Sequence, residues 1–243
     1  MRIALLVTCL ADTVMPQAAR ATVAVLERLG HEVVFPEAQT CCGQMHLNTG
    51  YLPEAAGLAR RTAEVFADHE VIVAPSASCV GTIRHQYAQL AEETGDEDLA
   101  RAAAELAPRV FELSELLVGV LGVTDVGAVM EARVAYHPTC HSLRVLRVGD
   151  GPRRLLEAVC GVEVVPFEDE EECCGFGGTF AVKNADTSAA MLADKMDRVR
   201  ASGADVLCAL DASCLMQIGG GLRRRGGGPR TAHLAEILAS GPA

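Results

Sequence analysis

The sequence contains no tryptophan, only 4% aromatic residues, and relatively little positive charge. Its 32 acidic residues outnumber its 21 basic residues, so the formal net charge is -11 at pH 7. A chain this acidic is a poor candidate for binding DNA, RNA or anionic membranes, because their phosphates repel it. We therefore expect no nucleic-acid partner.

Long hydrophobic runs are also missing, and none is long enough to span a bilayer. The apolar start of the chain is interrupted by Asp12 and lacks a convincing cleavage site, so we interpret it as the first strand of the fold. We expect no membrane insertion and a cytoplasmic location. There is no flavin or nicotinamide fingerprint either, which places any hydride chemistry on another protein.

Cysteine, in contrast, is abundant, with ten in 243 residues. Disulfides are rare in the cytosol, where a repeated cysteine pattern more often indicates metal binding or catalysis. Eight of the ten fall into two sets of the same form, one cysteine, a Cys-Cys-Gly and a further cysteine. The sets are Cys9, Cys41, Cys42 and Cys79, and Cys140, Cys173, Cys174 and Cys214.

An internal repeat explains this arrangement. Matching cysteines are separated by 131 residues (9 to 140), 132 residues (41 to 173) and 135 residues (79 to 214). The surroundings repeat as well, since Thr-Cys occurs at 8–9 and 139–140 and Ala-Ser-Cys at 77–79 and 212–214. We infer a duplication and predict an N-terminal Cys-Cys-Gly repeat over residues 1–120 and a C-terminal one over 121–243.

Strand and helix patterns alternate in both repeats. Short apolar runs predict strands over 2–8, 31–35, 71–74, 133–136, 162–167 and 205–210. Longer patterns predict helices over 16–29, 53–68, 151–159 and 187–201, and further helices near 112–117 and 233–238 close the two repeats. This alternation predicts an α/β fold of two pseudo-symmetric repeats, each a small, mostly parallel sheet flanked by helices.

Every cysteine position of the two sets lies just beyond the carboxyl end of a predicted strand. In an open parallel sheet these ends meet at one edge, where ligands bind. We therefore expect four thiols to converge in each repeat. The glycine after each cysteine pair, Gly43 or Gly175, allows a sharp turn and a close approach to a bulky ligand.

Four converging thiolates suit an iron–sulfur cluster or zinc. We favour a cluster, because adjacent cysteines can both bind irons that lie several ångströms apart, whereas structural zinc generally uses cysteines separated by two to four residues. A thiol or disulfide redox centre is a further alternative, as are plain core cysteines. For Cys160 and Cys208, outside the two sets, we expect the core role.

Several other residues are candidates for tuning the second centre. Gly175, Gly177 and Gly178 could present backbone N–H groups to it, and Lys183 could stabilise its charge. Asp211 is a candidate oxygen ligand or a cap of the helix that follows it. We expect His46, His137 and His141 to be hydrogen-bonding loop residues.

Five stretches of the sequence resemble the lactate utilization protein A family, and more distantly the cysteine-rich subunit of heterodisulfide reductase and the glycolate oxidase iron–sulfur subunit. They are CCGQMHLNTGY at 41–51, PSASCVGTIRHQY at 75–87, YHPTCHSLR at 136–144, ECCGFGGTFAVKNADTSAAMLADK at 172–195 and DASCLMQIGG at 211–220. The stretches are distributed over nearly the whole chain.

The resemblance implies an iron–sulfur oxidoreductase subunit that works with partner redox proteins in oxidising L-lactate, or another 2-hydroxy acid, by relaying electrons. The related reductase uses five cysteines per site, ending in Cys-x-x-Cys, for a non-cubane cluster. Here Ser76 and Asp211 replace the first cysteine of that pair, and we expect Ser76 to be a helix cap and not a ligand. Four cysteines per site match a four-iron cluster. Alternatives are a thiol/disulfide reductase subunit and a zinc-stabilised assembly subunit without a redox role.

Overall fold

The protein folds into two four-stranded parallel sheets in a computed structural model that describes residues 1–241. The strands of the first sheet are β1 (Arg2–Leu5), β2 (Glu32–Val34), β3 (Ile72–Ala74) and β4 (Val110–Glu112), in the order β2-β1-β3-β4. Those of the second are β5 (Val129–Tyr136), β6 (Cys160–Val165), β7 (Val206–Ala209) and β8 (Arg230–His233), in the order β6-β5-β7-β8. All neighbouring strands run parallel.

Helices connect the strands and cover the sheets. The first repeat contains α1 (Cys9–Val14), α2 (Pro16–Arg28), α3 (Gln44–Leu47), α4 (Leu52–Val65), α5 (Ala77–Gly81), α6 (Tyr87–Thr94), α7 (Glu97–Leu106) and α8 (Leu113–Glu115). The second contains α9 (Gly151–Glu157), α10 (Phe180–Lys183), α11 (Ala185–Ala201), α12 (Ala212–Arg224) and α13 (Leu234–Leu238). Short π-helical turns occupy Thr82–Gln86, Leu116–Val120 and His141–Leu146, and a 3₁₀ turn occupies Ala107–Arg109. Among the described residues, no helix has the length and apolar composition needed to cross a bilayer.

The predicted fold class is confirmed, and the apolar pattern of the sequence predicted three of the four strands in each sheet. It missed β4 and β8, which form the outer edge of each sheet next to β3 and β7. Both are short and end in a polar residue, Glu112 or His233. Glu112 is also the N-cap of α8, and His233 is the N-cap of α13. Each forms a capping box, with Glu115 in the first case and Glu236 in the second.

The hydrophobic core is continuous between the two repeats. Helix α13 packs against α2 of the first repeat, and α8 packs against α9 of the second, so each repeat covers part of the other. The Arg28 guanidinium reinforces this contact by donating hydrogen bonds to the carbonyl oxygens of Val126, Leu238 and Ala239. The division of the chain at residue 120 stays a prediction.

Candidate metal centre

Two cysteines of the first set, Cys9 and Cys79, lie at the starts of helices that side-chain caps define. Thr8 caps α1 by accepting a hydrogen bond from the Ala11 N–H, which places Cys9 in the first turn. Ser76 caps α5 in the same way by accepting from the Cys79 N–H at 3.3 Å. This confirms the expectation that Ser76 is a cap. The positive ends of the two helix dipoles therefore lie beside the thiols that a metal would need as thiolates.

The sulfurs of this set form two close pairs. Cys9 Sγ lies 3.6 Å from Cys41 Sγ, and Cys42 Sγ lies 3.2 Å from Cys79 Sγ. Gly43, at φ +85°, turns the chain so that its N–H donates to Cys41 Sγ at 3.4 Å. The backbone thus supplies a hydrogen bond to a candidate ligand, an interaction of the kind that sets cluster potential.

The second set repeats this geometry. Gly175 has φ +83°, and its N–H donates to Cys173 Sγ at 3.4 Å. Cys174 Sγ and Cys214 Sγ lie within 4.8 Å of one another and of a ring nitrogen of His137. Cys140, whose Sγ is 3.8 Å from His141 Nδ1, completes the set.

Both sets of thiols face one cavity of about 100 Å³. All eight cysteines line it, namely Cys9, Cys41, Cys42, Cys79, Cys140, Cys173, Cys174 and Cys214. Phe176 and Met45 add apolar walls, and Gly177 and Gly178 add backbone. The fold therefore brings together residues from the whole chain, and the two candidate centres open onto a shared space between the repeats.

Thiols this close cannot all ionise without a cation. The pKa of Cys41 lies well below its ordinary value because Cys42 and then Cys9 donate hydrogen bonds to its sulfur. The pKa of Cys9 is raised in return, by that hydrogen bond and by burial. In the second set the pKa of Cys173 is lowered and that of Cys140 raised for the same reasons. A bound metal would displace the shared protons and make each ligand a thiolate.

Asp211 lines the cavity and links the two repeats by hydrogen bonds. It is buried, and its Oδ1 accepts hydrogen bonds from Ser76 Oγ at 2.9 Å and the Ser78 N–H at 3.0 Å, while Oδ2 accepts from Thr139 Oγ1 at 2.6 Å. It precedes α12 but does not cap it through its side chain. The expectation that Asp211 caps its own helix is therefore wrong. Its carboxylate instead accepts hydrogen bonds from Ser76 and Ser78 at the start of α5, in the other repeat.

Of the remaining predicted tuning residues, the two glycines line the cavity and the lysine does not. Gly177 and Gly178 adopt left-handed conformations at φ +51° and +64° in the loop that lines the cavity. Lys183, in contrast, is exposed, and its Nζ lies 5.9 Å from the centre of the Tyr51 ring. Lys183 does not line the cavity, so the structure does not bring it together with the cysteines. Its role in stabilising charge stays a prediction.

Sequence reasoning missed Lys195, which is fully buried in α11. Its Nζ donates to the carbonyl oxygens of Asp169 and Glu170 at 2.7 and 3.1 Å, and burial lowers its pKa. It therefore fixes the loop that leads to the second Cys-Cys pair. The signal in the sequence was weak, because a lysine in a helix usually extends into solvent.

The two cysteines outside the sets differ from each other. Cys208 lies within β7 and is buried, as expected. Cys160 starts β6 and is exposed, so the prediction of a core role is wrong for it. It occupies the amino end of its strand, the end opposite to the one where the ligand cysteines gather.

A comparison with protein families finds the same two repeats. The family model "Cysteine-rich domain" matches twice, over residues 3–84 and 134–219. A solved structure, that of a putative Asp/Glu racemase from Yersinia pestis, covers 98% of this chain and 96% of its own at 14% identity, but its TM-score of 0.38 supports no argument.

Curated relatives match over nearly their whole length. A lactate utilization protein A from an Exiguobacterium species is 47% identical, covering 98% of this chain and 97% of its own. Those of Oceanobacillus iheyensis and Bacillus subtilis are 44% and 42% identical, covering 98% and 99% of this chain and 96% and 100% of their own. The chain belongs to the lactate utilization protein A family.

Proposed function

We propose that the protein is the iron–sulfur subunit of a multi-component system that oxidises L-lactate or a similar 2-hydroxy acid, in which it relays electrons. The observation that carries the proposal is the gathering of eight cysteines, in two sets of four, around one cavity. The relatives' name supplies the connection to lactate utilization.

The residues present fit iron–sulfur clusters in three respects. Each set offers four soft sulfur donors, the number that a four-iron cluster takes. Each Cys-Cys-Gly turn directs a backbone N–H at a sulfur, from Gly43 in one set and Gly175 in the other. The apolar side chains of Phe176 and Met45 restrict water at the cavity. A cluster bound there would supply one-electron transfer, and two neighbouring clusters would form a short relay.

Partners and location follow from the same reasoning. Because the sequence has no flavin or nicotinamide motif, we propose that partner redox proteins carry out the hydride chemistry and exchange electrons with this chain. A cytoplasmic location agrees with the ten cysteines, all of which are free thiols in the structure.

Metal analysis after anaerobic purification tests the proposal. We expect iron and acid-labile sulfide, about four of each per site, and an electron paramagnetic resonance signal that appears on reduction. Zinc with negligible sulfide would defeat the proposal. The zinc alternative has its own observation, since the Sγ–Sγ distances of 3.2 and 3.6 Å are close to the edge of about 3.8 Å in a tetrahedron with 2.3 Å bonds.

A pair of cysteine variants tests whether two separate centres exist. Cys174→Ser should remove about half of the iron and sulfide, because it eliminates one ligand of the second set only. Cys160→Ser is the matched control, since Cys160 is exposed and outside both sets, and it should retain all the iron. Loss of all the iron in Cys174→Ser would instead indicate a single metal site shared by both sets.

Reaction with partners separates electron relay from the thiol-based alternative. The loaded protein should accept electrons from lactate only when the partner redox proteins are present, at a rate that falls in Cys174→Ser. Turnover of a disulfide substrate by the isolated protein would contradict the relay role and favour a reductase subunit.

A further inference from the structure

The two candidate centres differ at one buried histidine. His137 directly follows β5 and is fully buried. Its Nδ1 lies 3.0 Å from the carbonyl oxygen of Glu170. A carbonyl oxygen can only accept a hydrogen bond, so Nδ1 carries the proton and donates it. In the neutral ring, Nε2 therefore bears a free lone pair.

Among the described residues, no hydrogen bond of ordinary geometry satisfies Nε2, although it is completely buried. The pKa of the neighbouring Cys214 thiol is lowered by Cys174 and, to a smaller extent, by its interaction with His137. A ring nitrogen of His137 lies within 4.8 Å of both Cys174 Sγ and Cys214 Sγ, and Nε2 is the nitrogen that the carbonyl leaves free. Buried polar atoms are nearly always paired, and an unpaired one requires an explanation. A metal centre bound by this nitrogen and by the two sulfurs supplies one.

The surroundings of His137 hold the ring in this orientation. Lys195 Nζ donates to the carbonyl oxygens of Glu170 and Asp169, which fixes the acceptor of the Nδ1 proton. The Glu170 side chain is held in turn by Arg153, at 2.8 Å. Histidines that bind metals commonly donate their other N–H to a carbonyl or carboxylate, which sets the tautomer and orients the ring.

The first repeat has no imidazole at the equivalent place. Leu6 precedes the first cysteine of its set by three residues, as His137 does in the second set. Backbone hydrogen bonds confirm the equivalence, since the Leu6 N–H donates to Val73 O and the His137 N–H to Cys208 O, both at 2.8 Å. Leu6 is a buried hydrocarbon side chain and can bind no metal.

We propose that His137 Nε2 is a metal ligand at the second centre, in addition to the four cysteines of that set. The inference rests on the proposed function, in that both sites hold iron–sulfur clusters. Neutral imidazole adds a nitrogen donor without removing a thiolate, so the second centre would have five donors and the first centre four.

Pulsed electron paramagnetic resonance on the reduced protein, with and without ¹⁵N-labelled histidine, tests the ligand directly. We expect one strongly coupled nitrogen, of the strength that a directly bonded imidazole shows, which changes with the label. Weak coupling only, as from a histidine hydrogen-bonded to a sulfur, would overturn the proposal. This measurement needs no variant, and a protein without iron or sulfide would refute the proposed function instead.

Two histidine variants locate the nitrogen. His137→Leu gives this position the residue type that Leu6 supplies in the first repeat, and we expect it to abolish the strong coupling while the signal of the first centre stays unchanged. His141→Leu is the matched control, because His141 lies beside Cys140 but its Nε2 already pairs with Gln44, and it should retain the coupling. His137→Cys should retain the iron and show no nitrogen signal. Strong coupling that persists in His137→Leu would disprove the assignment.

Discussion

Glu112 is a carboxyl group with no exposure to solvent. Its Oε2 accepts hydrogen bonds from the Ser114 N–H and hydroxyl, and its Oε1 has no partner. Burial raises its pKa from an ordinary 4.5 to about 8, more than the Ser114 hydrogen bonds lower it. A raised pKa means that the folded protein retains a proton which the unfolded chain has already released between these two values.

We therefore predict a pH-dependent effect of Glu112→Gln, which keeps the cap but cannot ionise. The wild-type contribution of the protonated carboxyl to stability is complete below about pH 4.5 and is lost as the pH rises towards 8. The free energy of unfolding of the variant should consequently gain on the wild type by about 1.4 kcal/mol per pH unit across this window. Urea unfolding of the anaerobic protein at several pH values measures it, with the exposed Glu92→Gln as control. Parallel curves for Glu112→Gln and wild type would contradict the shifted pKa.

Two residues near the second centre have partners far along the chain. Asp211 accepts its hydrogen bonds from residues 72 to 135 positions away. The Nδ1 partner of His137 is 33 residues away. A local pattern cannot reveal such partners. The prediction that Asp211 caps its own helix is therefore wrong, whereas the prediction of a hydrogen-bonding loop residue is correct for His137 but did not include its partner. Ser76 was predicted correctly because its cap partner is only three residues away.

At the scale of elements, each Cys-Cys-Gly turn depends on a glycine with positive φ. A Cβ on Gly175 would lie 2.6 Å from the Ser188 carbonyl oxygen and 3.1 Å from Met191 Cβ, both part of α11. On Gly178, also left-handed, it would meet nothing closer than Met45 Cγ at 3.6 Å. The two positions share the conformational requirement but differ in the space available.

Alanine at these two glycines should therefore have unequal effects. Gly178→Ala should cost about 1 kcal/mol, the strain of a left-handed alanine, and keep the iron of both centres. Gly175→Ala should cost about 3 kcal/mol or more, because the turn or α11 must move, and should lose iron from the second centre. Thermal unfolding and iron content measure these effects. Equal losses would show that the clash with Ser188 relaxes without disturbing the turn.

The strands that carry the site were predictable because each is an apolar run that ends at a cysteine loop. The sheet edges were not, since β4 has three residues, and β8 begins with Arg230 and ends with His233. Neither strand shows the apolar period that identifies a buried strand. Their positions depend on parallel pairing with β3 and β7, which is a tertiary effect.

At the scale of the whole molecule, the site depends on both repeats being held in place. The cavity lies between them, and the cysteines of each set follow three different strands of one sheet. The reciprocal packing of α13 on α2 and α8 on α9 joins the two sheets through one core. We therefore expect the loaded protein to unfold in a single transition.

Arg28 offers a test of that coupling. It extends from the last turn of α2 and donates three hydrogen bonds to carbonyl oxygens of the second repeat, two of them at the end of α13. Arg28→Ala should lower the free energy of unfolding by about 1–2 kcal/mol, since these carbonyls lose a charged donor. Arg20→Ala on the same helix is the control, because Arg20 is exposed like Arg28 but donates no hydrogen bond to the second repeat among the described residues, and it should change the free energy of unfolding by less than about 0.5 kcal/mol. Urea unfolding followed by circular dichroism and by cluster absorbance should give coincident midpoints that shift together. A midpoint that shifts for one probe alone would show that the repeats unfold independently.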